Sequence, residues 1–403
     1  ITDNIELEYK NNITVEEIQN IVEKALQCGG HKDIASAYSA YRKERTKVRE
    51  IKSDLMRAIR KIGVETDRDN ANVGNNFSSK LLRIASESNK WNNLAIMPKK
   101  LSRAHETGDL YYHDLDSYNL TVNCLHIPTK EMLEEGFNTG YGTINAPKRI
   151  ETAAELSCIL LQSTQNDMFG GQSHPDFDND MAVFIEPTRQ EIRKEFEELE
   201  IPQDKIEELV EKRLKQRTHQ AMQGVVYNLN TMHSRAGSQV PFSSINLGLP
   251  TSADAALVCE IFLLEYEKGL GKGEQPIFPN IIFRVKSGVN REENDPYFYL
   301  YKLACRVAAK RMNPTFMNID ADFNKEYYDQ GYIPATMGCR TYLMKNVNGE
   351  PGCKGRGNIA PTTLNLPRIG LQAKGDIDKF FEILDSRLNL AKESLLHRYE
   401  VLK

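Results

Sequence analysis

From residue 75 onward, short apolar runs of strand character are separated by helical stretches. This alternation restricts the chain to folds built on a parallel α/β sheet or barrel. Strand runs are read at Asn119–Ile127, Phe242–Gly248, Phe278–Val285, Pro314–Ile319, Cys339–Met344 and Thr362–Leu366. Helical periodicity is read near 77–89, 149–169, 177–198, 203–223, 252–268, 295–311 and 375–398. The front of the chain reads as two helices. Thr14 lies three residues before Glu17, a capping box that opens a helix over 13–28. Ile18, Ile21, Val22, Ala25 and Leu26 form its apolar stripe, and Gly29 and Gly30 end it. A longer helix follows from Asp33 to Ile62, and the polar stretch Asp67–Asn76 reads as a linker and the main break in the chain.

Composition narrows the function classes. The chain has 403 residues, more than a single core of roughly 250–300 residues accommodates, so one large barrel with extensions or several domains are both open. A net charge of -4 gives no basic field for a nucleic acid. No apolar run approaches the ~18 residues of a membrane span. The cysteines Cys28, Cys124, Cys158, Cys259, Cys305, Cys339 and Cys353 form no C-x-x-C pair, which favours a reducing, cytoplasmic compartment. Cys158, Cys259 and Cys305 sit in apolar helical windows and read as buried. No Cys or His completes a four-ligand set around Cys339 and Cys353, so no metal site is expected.

Chemistry-bearing residues concentrate at 336–368, T-M-G-C-R-T-Y-L…G-E-P-G-C-K-G-R-G-N-I-A-P-T-T-L-N-L-P-R. Glycines there let backbone approach a ligand closely. If Met337–Cys339 is extended, the thioether of Met337 and the thiol of Cys339 share a face. Spacing alone favours a hairpin with a buried cysteine and a gap-filling methionine. Cys124 sits on a strand face with Leu120, Val122 and His126. Glu151, Glu155, Cys158, Gln162 and Gln165 form a polar stripe on a helix that is otherwise apolar, facing water or a polar partner. The turns at Phe169–Gln172 and Gly355–Asn358 resemble anion cradles but lack a phosphate-loop Lys-Ser/Thr. The Glu/Lys-rich 189–217 stretch reads as a solvated helical pair.

Four stretches in this order resemble the anaerobic (class III) glycyl-radical ribonucleoside-triphosphate reductases. They are L-L-R-I-A-S-E-S-N-K-W at 81–91, Y-Y-H-D-L-D-S-Y-N-L-T-V-N-C-L-H-I-P at 111–128, F-G-G-Q-S-H-P-D-F-D at 169–178, and the 336–368 cluster. The resemblance implies a ten-stranded α/β barrel with an internal finger loop. It makes Cys339 the thiyl-radical cysteine at the loop tip, Cys124 the second active-site cysteine, and Asn358 the asparagine that hydrogen-bonds the ribose hydroxyls. Met337 matches the members that use formate as reductant. Pro361, Thr362, Thr363 and His113 become candidates for substrate contacts, the first three because backbone N–H groups after the glycine turn could meet a triphosphate. The polar stripe matches a helix at the family's dimer interface, with Glu151 and Gln165 as candidates for binding the deoxynucleotide effector. Residues 1–48 resemble the last helices of an ATP-cone, followed by a catalytic barrel over 49–403.

The resemblance also implies ribonucleoside triphosphates as substrates, ATP, dATP and other deoxynucleotides as effectors, a homodimer or higher oligomer, and a radical-SAM activating enzyme as partner. The family's glycyl-radical motif and its zinc site of two C-x-x-C pairs are not among these residues. These 403 residues by themselves are therefore expected not to turn over. Two other readings are a glycyl-radical lyase and a nucleotide-sensing regulatory protein that keeps the barrel.

Overall fold

The computed structural model describes residues 13–64, 75–199 and 201–403. The chain divides into two compact units, Ile1–Glu65 and Thr66–Lys403. In the first, the helix Val15–Cys28 opens on Thr14, whose hydroxyl accepts from the Glu17 N–H while the Glu17 side chain accepts from the Thr14 N–H. Gly29 caps its end. Arg42 on the next helix, Lys32–Val64, ties the two together through Glu16 (2.7 Å) and Glu23 (3.2 Å). That helix runs unbroken through position 48. Helical hydrogen bonding continues there, and the compact unit ends at Glu65. The linker read at Asp67–Asn76 lies outside the described residues except for its last two positions.

The second unit carries ten strands among its described residues: β1 Leu110–Tyr112, β2 Cys124–His126, β3 Phe137–Asn138, β4 Thr143–Ile144, β5 Gln172–His174, β6 Ser243–Leu247, β7 Asn280–Val285, β8 Thr315–Asn318, β9 Gly357–Asn358 and β10 Thr362–Leu364. Six form one sheet in the order β8-β7-β6-β5-β2-β9. The first five in that order are parallel, and β9 closes the edge antiparallel to β2. Helices connect the parallel strands, as this topology requires. Six strands in one wall are part of the ten that the complete barrel would need. Most strands are shorter than their apolar runs, and Cys339–Met344 is not a strand. The helical run at 177–198 is two helices, Phe177–Ala182 and Ile185–Glu198.

Strand alternation sorts the sheet into two faces. Ile245, Leu247, Ile281, Phe283 and Val285 belong to the large apolar core shared with the surrounding helices. The opposite face carries Cys124, His126, Ser173, Ser244, Asn246, Ile282 and Arg284, so it is mostly polar. A loop stands on it. Arg284 is fully buried and its guanidinium meets Asp176 (2.6 Å) and Asp178 (3.3 Å) just past the end of β5. Asp178 also accepts the Gly248 N–H at 2.8 Å. The acidic half of the 169–178 motif is thus a clamp on β7. Cys158 and Cys259 are buried, but Cys305 is exposed because its helix turns that face outward.

Candidate active site

Three segments distant in sequence build one cavity. The antiparallel pairing of β2 and β9 sets Asn358 directly opposite Cys124. That pairing is so close that a Cβ at Gly357 would lie 1.9 Å from the Cys124 carbonyl oxygen. Next to them, a Cβ at Gly170 would lie 2.1 Å from Asn123 Oδ1 and 2.9 Å from Cys124 Sγ, and one at Gly171 would strike Phe242. The Phe169–Gln172 turn lines the cavity with Phe169, Gly170 and Gly171. Its glycines let backbone pack against β2, with the Gly170 N–H given to the Asn123 carbonyl at 2.6 Å.

The third segment is a hairpin loop. Thr336 and Tyr342 pair across it, and the Arg340 N–H reaches the Met337 carbonyl at 2.8 Å, which makes Met337–Arg340 a tight turn. Arg340 takes the left-handed conformation, φ 67°. Asn246 on β6 holds the loop from both sides, its amide donating to the Thr336 carbonyl (2.9 Å) and its Oδ1 accepting the Thr336 N–H (3.1 Å). Ser244 Oγ accepts the Gly338 N–H at 3.1 Å. The loop thus stands on the polar face of the sheet with Cys339 at its tip. Replacing Asn246 with alanine would strip the buried Thr336 N–H of its partner and leave the Thr336 carbonyl only the longer bond from Ser173. The expected cost is about 2–4 kcal/mol in urea unfolding, with the m-value unchanged.

The turn overturns one expectation. Met337 and Cys339 do not share an extended face. Met337 is fully buried and does not line the cavity, because the turn points the two side chains apart.

The two cysteines that line the cavity are unlinked and face each other, Sγ to Sγ, at 3.9 Å. Thr341 Oγ1 lies 3.0 Å from Cys339 Sγ and 3.0 Å from Asn358 Nδ2. Asn358 Oδ1 is buried with no partner, an acceptor left for a ligand. The hydrogen bond from Cys124, with a smaller contribution from Thr341, holds the Cys339 thiol below the ordinary thiol range. The same contact, with burial, pushes Cys124 up. Iodoacetamide at neutral pH is therefore expected to label Cys339 while Cys158, Cys259 and Cys353, all buried, stay protected until the chain unfolds. Peptide mapping checks this.

The cavity has a volume of about 450 Å³. His113 and Pro361 line it, with His113 Nε2 2.7 Å from Thr363 Oγ1 beside the pairing of β1 with β10. Thr362 and Thr363 belong to β10 and do not line it. Asp114, Asn123, Arg235 and Gln239 also line it and were not singled out in the sequence. Asp114 stands in the Y-Y-H-D-L-D motif, so its signal was present. Burial, and Asp116 nearby, raise its carboxyl above the usual range. Arg235 donates to the Phe169 carbonyl at 2.8 Å and lies over the Phe169 ring. It follows a helix end in a polar stretch, and no local pattern marks it.

The polar stripe is split: Glu151, Gln162 and Gln165 meet neighbouring side chains, while Glu155 is exposed. Arg217 grips Glu151, Gln165 donates to Ser234 and Gln162 to Asn228. Gln165 is 2% exposed. The long helix Gln203–Thr231, which carries Arg217 and Asn228, packs against this helix. The exposed side of the helix carries Thr152, Glu155 and Asn166 instead.

Comparison with known proteins bears on this site. The family model described as anaerobic ribonucleoside-triphosphate reductase matches residues 69–403, and the ATP cone domain model matches residues 1–47. The anaerobic ribonucleoside-triphosphate reductase of Escherichia coli (strain K12) is 33% identical over 404 residues, 98% of this chain and 56% of that protein. That of Enterobacteria phage T4 is 31% identical over 318 residues, covering 76% of this chain and 52% of its own length. The chain spans about half the length of the curated relatives it matches. The anaerobic ribonucleotide reductase of Thermotoga maritima in complex with dATP and CTP superposes with a TM-score of 0.57 at 19% identity, over 89% of this chain and 62% of that one.

Proposed function

Because the chain belongs to the anaerobic ribonucleoside-triphosphate reductase family, we propose that its cavity holds a ribonucleoside triphosphate and that its cysteines replace the 2′-hydroxyl by hydrogen. The observation that carries this reading is the pair of unlinked thiols 3.9 Å apart beside an amide oxygen without a partner. Two thiols and an acceptor are what ribose reduction needs. The Cys339 sulfur takes the hydrogen atom from C3′ and later returns it. Cys124 protonates the leaving 2′-hydroxyl, which departs as water. Asn358 Oδ1 accepts a ribose hydroxyl and fixes the sugar. The family's glycyl radical, whose motif is not among these residues, would supply the one-electron oxidation of the Cys339 thiol.

Formate is the reductant in this reading: formate, a proton and the ribonucleotide give carbon dioxide, water and the deoxynucleotide. That assignment rests on Met337 as a family mark and not on a contact in the cavity. ATP, dATP and other deoxynucleotides act as effectors, the enzyme is a cytoplasmic dimer or larger oligomer, and a radical-SAM enzyme activates it. Zinc is bound outside these residues.

The test is anaerobic turnover by the complete, activated enzyme. Deoxynucleotide and carbon dioxide should form in equal amounts from a ribonucleoside triphosphate and formate. Full formate-driven turnover by a Met337→Ala enzyme would remove the role given to the thioether. Calorimetric titration of this chain with ribonucleoside triphosphates against small carboxylic acids separates the reductase from a lyase.

A further inference from the structure

We propose that Thr341 is a positioning residue whose hydroxyl links Asn358 to Cys339, so that the group that would receive the ribose and the reactive sulfur are held in one hydrogen-bonded line. The inference rests on the reductase reading for the identity of the ligand, and on geometry alone for the link. Thr341 Oγ1 is 3.0 Å from Asn358 Nδ2 and 3.0 Å from Cys339 Sγ. A hydroxyl has one hydrogen to give and lone pairs to receive with. The Asn358 amide donates to it, so its own hydrogen is free for the sulfur. The Cys124 thiol reaches the same sulfur from the other side at 3.9 Å.

This arrangement fixes the polarity of the line. One Asn358 Nδ2 hydrogen goes to Thr341, and Oδ1, buried without a partner, is the acceptor left for a ligand. A ribose hydroxyl that donates to Oδ1 keeps the amide from turning over. That in turn keeps the Thr341 hydrogen on Cys339. Valine has nearly the shape of threonine but cannot make this link, whereas serine can.

The other polar groups near Cys339 are few. His113, Asp114, Arg235 and Cys124 face the cavity from the sheet side and its neighbouring loops. Arg340 on the loop itself turns to the Gly338 carbonyl and Thr315. None of them touches Thr341 Oγ1 among the hydrogen bonds described, so a change at 341 reads the link rather than a rearranged charge.

The experiment follows the rate of Cys339 alkylation by iodoacetamide against pH in this chain, by peptide mass mapping, with circular dichroism and thermal melting as the control for folding. Thr341→Val should move the alkylation midpoint up by about one to two pH units, the effect of losing one hydrogen bond to a charged atom. Well below both midpoints the rate should fall about ten- to hundredfold, while at neutral pH it should change little. Thr341→Ser should restore both, and Asn358→Leu, which leaves the hydroxyl in place, should give a smaller shift than Thr341→Val. A Thr341→Val chain that melts like the parent and keeps its midpoint overturns the proposal, as does a Thr341→Ser chain that behaves like valine. If the valine chain does not fold, Thr341→Ala gives the same two readings. Alkylation needs no radical, so a failed link is distinguished from a failed reductase reading. The latter appears as normal alkylation profiles in an activated enzyme that makes no deoxynucleotide.

Discussion

Replacing Cys339 with alanine in the complete, activated enzyme is expected to abolish deoxynucleotide formation, a loss on the order of 10⁴-fold or more. A thiol is needed because its S–H bond is close in energy to the ribose C3′–H bond, so hydrogen can be taken and given back. A methyl group has no such hydrogen, and no neighbour substitutes. Cys124 is held on β2 on the far side of the gap, and Met337 is buried away from the cavity. Substrate binding should survive, because the groups assigned to the sugar and the cavity walls are unchanged. The measurement is chromatographic detection of the deoxynucleotide beside calorimetric binding of the triphosphate. Cys305→Ala, an exposed position outside the cavity, is the control and should keep activity. Turnover by the Cys339 variant within tenfold of the parent would show that the sulfur is not the reacting atom.

Replacing Arg284 with alanine is expected to cost about 3–5 kcal/mol of stability, because it leaves buried carboxylates without their counter-charge. Asp178 is fully buried. Its carboxyl is already held above the usual range by burial, with Arg284 pulling it down and Asp176 pushing it up. Without the guanidinium, the Asp178 carboxyl rises further. A carboxyl whose folded pKa exceeds its unfolded value stabilises the fold only when protonated. The variant should therefore lose stability as pH rises from about 4, the unfolded carboxylate value. Urea unfolding between pH 4 and 8 checks both the size and the slope. An Arg284→Ala chain with the parent's stability at neutral pH would mean that the clamp contributes nothing.

Much of this was legible before any coordinates. Short apolar runs at Phe242–Gly248 and Phe278–Val285 marked strands that form over Ser243–Leu247 and Asn280–Val285, and the Thr14 capping box opened its helix where expected. Motif order singled out Cys124, Cys339 and Asn358, and these three meet at the cavity. Local sequence carries such information because backbone geometry and apolar periodicity repeat over a few residues.

What only tertiary structure decided are the relations across long separations. Cys124 and Cys339 are 215 residues apart, and no local pattern states that their sulfurs meet. The stripe at Glu151–Gln165 was read correctly as polar. Whether it faced water, a partner or another helix depended on what packs against it, and Arg217 and Ser234 took it. Met337 and Cys339 share a parity only if the chain is extended. The tight turn, held by Asn246 and Ser244 on a strand about ninety residues earlier, cancelled that parity. Arg284 reads as a lone cation in an apolar run, and its two carboxylate partners come from past the end of another strand. Periodicity fixes which side of an element is polar. Which polar group answers it is settled by strand order and loop anchoring, which a linear pattern does not encode.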